Sequence, residues 1–132
     1  MNIYHFTKPD LLLANADKRP IVVGETLHHK GPLVLCQKGL HGSVKLTDAL
    51  RYAPHGLGYL TFCEVPDFGD DCLEGPDKVV ARWRKVLWMM PASPWFRRYS
   101  NVCADIALFH AVRVLRRRNI PVTELEKYVS ND

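Results

Sequence analysis

No run of apolar residues in this sequence approaches the ~20 that a membrane-crossing helix needs. Residues 1–9 show neither the basic start nor the long apolar stretch of a secretory signal. No membrane partner is therefore expected, and the cytoplasm is the expected compartment. Cysteine is sparse and scattered: Cys36, Cys63, Cys72 and Cys103 stand singly, without a Cys-x-x-Cys pair. Together with His28, His29, His41, His55 and His110 they form no recurring ligand spacing, so neither a metal nor a cofactor is expected, and the thiols read as free. A Gly-x-Ser-x-Gly elbow, a Walker-type loop and an Asp-x-Asp-x-Asp-Gly calcium loop are all missing. So are internal repeats and low-complexity segments, which excludes solenoids and disordered linkers.

What remains is an ordinary globular composition: 132 residues, 47% hydrophobic and 24% charged. A chain of this length buries roughly two-thirds of its unfolded surface without needing disulfides or metal. A single domain over residues 1–132 is expected. The net charge of +4 is unevenly spread. Residues 1–77 hold seven basic and ten acidic side chains, whereas residues 78–132 hold eleven and four. An excess of that kind suits an acidic protein surface or a nucleic acid. Nothing in the sequence specifies an oligomeric state.

Short β-like runs at 3–7, 21–23 and 33–36 are punctuated by Pro9, Gly24 and Gly31-Pro32. Leu46, Ala49, Leu50 and Ala53 share one face of a short helix that Ser43 or Thr47 can cap and Pro54 ends. Residues 59–65 are apolar on both faces, which places that strand centrally in a sheet. After an acidic loop over 66–77, residues 79–90 read as one long strand. Its apolar face carries Val79, Ala81, Trp83, Leu87 and Met89, and its other face carries Arg82 and Arg84. Ser93-Pro94 starts a long helix whose stripe of Trp95, Tyr99, Val102, Ile106 and Phe109 is expected to be buried. Arg116, Arg117, Arg118 and Asn119 end it, and residues 123–128 suit a last short helix. The fold class is α+β: mostly antiparallel sheet, one short central helix, and a long helix in the C-terminal half packed on the sheet.

Two regions invite chemistry. Gly39-Leu40-His41-Gly42-Ser43 reads first as a tight turn whose serine caps the next helix, although its glycines would let backbone amides approach an anion. Asp77-Lys78 reads as a local ion pair or a strand boundary. Arg82, Arg84 and Lys85, near Trp83 and Trp88, form with Arg116, Arg117 and Arg118 the expected partner-binding set. Arginine beside aromatic rings suits phosphate contact and base stacking.

The run from Leu35 through Cys36, Gly39-Leu40-His41 and Ser43 to Asp48-Ala49-Leu50-Arg51-Tyr52-Ala53-Pro54 carries a resemblance. It is similar to small uncharacterised proteins encoded by bacteriophages and prophages. The likeness continues through Asp77-Lys78-Val79-Val80-Ala81, Lys85-Val86-Leu87-Trp88 and Cys103-Ala104. His55 departs from it, standing between Pro54 and Gly56 where the family reads Pro-Gly directly. That family has no activity to carry over. The resemblance implies a phage-type accessory protein and no more. Taken with the missing catalytic signature and the uneven charge, it leads to the expectation of a non-enzymatic protein in the host cytoplasm, binding a host or phage macromolecule such as a component of host defence.

A second resemblance is architectural, to ADP-ribosyltransferase-like domains. Tyr4-His5-Phe6-Thr7, the Gly39–Ser43 run, Ala49 to Tyr52 and the apolar strand to Val65 fall in the same order. That resemblance implies a pocket around His5, His41, Ser43 and Tyr52. His5 would hold an NAD ribose, and Tyr52 or His41 would flank the nicotinamide. It also calls for a late catalytic glutamate, for which the chain offers only Glu124 and Glu126. Fold analogy alone does not make an enzyme.

Overall fold

Seven strands, three helices and their connections account for residues 1–13 and 17–129, the part of the chain that the computed structural model describes. Two compact units divide it, Met1–Ser93 and Pro94–Asp132. The α+β expectation holds: two antiparallel sheets, one long helix and two short ones.

In the first unit, β1 (Asn2–Phe6), β4 (Tyr59–Glu64), β7 (Trp83–Pro91) and β2 (Thr26–His28) form a sheet in the order β1-β4-β7-β2. Strand β4 is internal, as its two apolar faces required: Leu60 and Cys63 point into buried surroundings, and Phe62 stacks on Trp88 with ring centroids 5.5 Å apart. A second sheet runs β3 (Leu40–Gly42), β6 (Val79–Ala81), β5 (Cys72–Glu74), in the order β3-β6-β5. Between β3 and β4 lies α1 (Leu46–Leu50), which buries Ala49. The sheets meet where Tyr4 and Ser43 exchange backbone hydrogen bonds of 2.8 and 2.9 Å. The core draws on both, with Ile3, Leu27, Leu40, Cys63, Val79, Ala81 and Val86 in one cluster. Each fully buried aliphatic side chain of this kind contributes roughly 1.5–3 kcal/mol.

Several expectations need correction here. Residues 79–90 are two strands in two different sheets, separated by Arg82. The break resets the alternation. Val79, Val80 and Ala81 are all buried, and then Arg84 and Val86 point inward while Leu87 is exposed. A shift in register opposite Phe62 and Cys63, between Val86 and Trp88, displaces the strand again. Residues 21–23 form no strand, and residues 33–36 belong to a turn closed by Val34 and Lys38. The strand in that region is β2, a three-residue edge in the polar stretch whose only buried member is Leu27. The acidic loop contains β5.

The second unit holds most of α2 (Ala92–Arg117) and all of α3 (Thr123–Val129). Helix α2 ends as its sequence predicts. Asn119 adopts a left-handed φ of 54°, and the amides of Asn119 and Ile120 close back on Arg116 and Leu115 at 3.1 Å each. The buried stripe is not found. Ile106 and Phe109 are 54% and 56% exposed, and Val112 and Val122 are the buried apolar side chains among the unit's described residues. One short companion helix offers too little surface to cover so long a face.

Candidate functional site

The Gly39–Ser43 run is not a turn but a strand with constrained ends. Gly39 has a φ of 123°, and a side chain there would collide with Val80. At Gly42 a Cβ would strike Ile3 and the Tyr4 carbonyl, so only glycine lets β3 lie against β1. Ser43 does not cap α1: it is buried beside Tyr4, and Lys45 occupies the N-cap without a side-chain bond. Between the glycines, His41 pairs with Val80 of β6. Gly39 thus lets β3 lie against β6 within its own sheet, and Gly42 lets it approach β1 of the other.

Where the two sheets approach, they enclose a cavity of about 400 Å³. His5 reaches it from β1, His41 and Ser43 from the β3 segment, and Tyr52 from the turn after α1. All four residues implied by the transferase-like layout therefore line one cavity. That volume lies toward the small end of ligand pockets.

Two further lining residues have a different standing from the one expected of them. Arg84 was expected on a partner-binding face; it is 1% exposed and lies at the cavity wall. Its Nη1 donates to the His41 carbonyl oxygen at 2.7 Å, while Nε and Nη2 have no hydrogen-bond partner in the protein. Lys78 was read as half of a local ion pair with Asp77 or as a strand boundary. It lines the cavity and sets its ammonium 3.5 Å from the centre of the Tyr52 ring, a cation–π contact. Its neighbour Asp77 pairs not with Lys78 but with the Tyr52 hydroxyl, which donates to it at 2.6 Å, and with Arg51 at 3.5 Å.

The electrostatics follow from this crowding of cationic groups. Burial, then the Arg84 guanidinium and the His41 ring, holds the His5 imidazole well below its usual pKa. Burial, Lys78 and Arg84 lower His41 too, against an opposite pull from the Val34 and Gly39 carbonyls. Both rings are neutral at pH 7. Burial also lowers Arg84, yet a guanidinium is basic enough to stay charged. The carboxylate lining the cavity, Asp17, is held by Arg19 at 2.7 Å.

The other expected partner-binding residues fall in both units, Arg82 and Lys85 in the first and Arg116, Arg117 and Arg118 in the second. Arg82 is bound to Asp71 and to the Gly31 carbonyl, and Lys85 is half-buried on β7. Arg116 pairs with Glu126, whereas Arg117 and Arg118 are exposed at the end of α2. Glu124 pairs with Lys127 on α3. Among the described residues no group of three His, Cys, Asp or Glu side chains is placed to hold a metal ion. No helix among them is long and apolar enough to cross a membrane.

The inward turn of Arg84 escaped sequence reasoning because it depends on the break at Arg82, which a continuous β-like run conceals. The visible signal was an arginine two residues from Val86 on the same strand face.

No curated protein and no solved structure matches the chain. A family model described as a domain of unknown function, DUF7666, matches residues 1–97, which covers the whole cavity-bearing unit and stops just inside α2. The chain belongs to that DUF7666 family.

Proposed function

We propose that the Met1–Ser93 unit is a small-molecule-binding domain whose cavity takes a nucleoside- or nucleotide-class ligand, in the manner of ADP-ribosyltransferase-like domains. The observation that carries this reading is the convergence of His5, His41, Ser43 and Tyr52 on one cavity. Neutral imidazoles suit hydrogen bonding to ribose hydroxyls, and the Tyr52 ring offers a face for a base or a nicotinamide. The proposal is for binding, not group transfer. Glu124 and Glu126 already serve ion pairs within the second unit, which leaves the transferase glutamate without a counterpart.

Titration calorimetry with NAD, ADP-ribose, AMP, adenosine and nicotinamide tests this. Saturable binding of at least one, weakened by Tyr52→Ala, is the expected result. Failure of all of them to bind the natural protein at millimolar concentration overturns it.

A second reading has its own support. The phage-type sequence pattern and the exposed Arg117 and Arg118 favour an accessory protein of phage or prophage origin, docking an acidic macromolecule in the host cytoplasm. Capture from host extract should then weaken steeply with salt and with Arg117→Ser/Arg118→Ser. Capture that is indifferent to both removes this reading.

A further inference from the structure

We infer that the cavity contains an oxyanion seat, built on the side edge of Arg84 with the Ser43 hydroxyl beside it. It would receive a phosphoryl or carboxylate group of the ligand. The inference rests on the reading of this cavity as a ligand site.

The geometry of the guanidinium carries it. Nη1 is engaged by the His41 carbonyl at 2.7 Å, which orients the plane of the group. The two nitrogens left over are Nε and Nη2, whose N–H bonds run parallel along one edge. That edge matches two oxygens of a carboxylate or phosphoryl group in a bidentate pair. Had the spare nitrogens been Nε and Nη1, no such match would arise.

Burial supplies the reason for a partner. A permanent cation that is 1% exposed, with two unsatisfied donors, is an expensive arrangement unless something compensates it. The protein brings no carboxylate to it among the described residues. Asp17, the acid that lines the cavity, is committed to Arg19 and is itself partly exposed. Two more buried polar atoms lack protein partners, His41 Nε2 and Ser43 Oγ, and both belong to residues that line this same cavity. Every buried side-chain atom found without a partner therefore belongs to one of three residues around one space. Lys78, at the Tyr52 side of the cavity, adds a second positive charge to the field that an anion would enter.

The alternative is that Arg84 is structural, serving only to tie β7 to β3 through the His41 carbonyl. The two roles separate experimentally. The probes are inorganic phosphate and acetate at constant ionic strength, and AMP against adenosine. Binding is followed by calorimetry and by the Arg84 Nε–H resonance of the natural protein. The expected result is a saturable shift of that resonance with phosphate or acetate, and with AMP. Affinity for AMP should exceed that for adenosine and fall about tenfold to a hundredfold in Arg84→Met. A phosphate response without an acetate response assigns the seat to phosphoryl groups, and the reverse assigns it to carboxylates.

If AMP and adenosine bind equally well, Arg84→Met changes neither, and neither phosphate nor acetate moves the resonance, the oxyanion seat is wrong while the ligand cavity stands. If nothing binds, both readings fall. Should Arg84→Met not fold, the resonance of the natural protein decides: a shift with phosphate, acetate or AMP supports the seat, and no shift with any of the three at saturation overturns it.

Discussion

Arg84 of β7 donates a hydrogen bond to the main-chain oxygen of His41 in β3, 2.7 Å away, and so ties the four-stranded sheet to the three-stranded one from inside. The same guanidinium leaves two buried donors without a partner in the protein, which sets its contribution to stability against the binding role inferred for it.

Replacing Arg84 with methionine removes a buried, uncompensated charge at the cost of one hydrogen bond. Exchanging buried ionic groups for apolar ones of similar volume is often neutral or stabilising by about 1–4 kcal/mol. The urea midpoint of the variant should therefore equal or exceed that of the natural protein. A fall of more than about 2 kcal/mol would make the tie between the sheets the dominant role.

Gly42→Ala should be among the most damaging small substitutions. Its Cβ has no room beside Ile3 and the Tyr4 carbonyl, and overpacking of this kind costs about 1–3 kcal/mol. Gly24→Ala, in open space at a φ of 87°, meets backbone strain but no steric contact and should cost about 1 kcal/mol. Chemical denaturation of the two variants side by side gives the ordering.

Stability should fall on acidification below about pH 6.5, the ordinary imidazole value. His5 and His41 are both held below it in the folded protein, so the unfolded chain binds protons first. Their contribution is complete above the unfolded value and is lost as pH drops toward the folded ones. His5→Asn should flatten the dependence of the urea midpoint on pH between neutrality and mild acid, and an unchanged slope would contradict this assignment.

The cysteines should fall into two classes toward a thiol reagent. Cys36 and Cys103 are exposed and should react in the folded protein. Cys63 and Cys72 are buried, and burial raises their thiol pKa, so they should react only on unfolding. Mass spectrometry after timed labelling reads the difference.

Tyr52 should titrate later than a free phenol, because its hydroxyl donates to the Asp77 carboxylate. Asp77→Asn removes that acceptor charge. A difference titration of phenolate absorbance should show one tyrosine moving toward its ordinary value in the variant.

Long or punctuated elements were legible in the sequence. Strand β1 stops before Lys8-Pro9, β4 is internal because both faces are apolar, and α2 ends at Arg117, with left-handed Asn119 and then Pro121 beyond it. Strand β2 was not legible, since three residues with a single buried leucine carry no periodicity. The four cavity residues came from the transferase-like layout rather than from pattern, because His5 and Tyr52 are far apart in the chain and nothing local marks either. Arg84 was misplaced for a physical reason. Charged side chains belong at the surface by default, and only the alternation restarted after Arg82 turns this one inward. The stripe on α2 shows the converse: helical spacing of apolar residues describes a face without supplying anything to cover it.

The single residue between β6 and β7 has a mechanical consequence. With Arg82 as the whole of the connection, and Tyr4 bonded to Ser43 by two backbone bonds, the main chain joins the two sheets at two places, besides the Arg84 side-chain tie. These links oppose a jaw-like hinge between the sheets. A ligand of the proposed kind would then be selected by its dimensions more than by closure of the sheets around it.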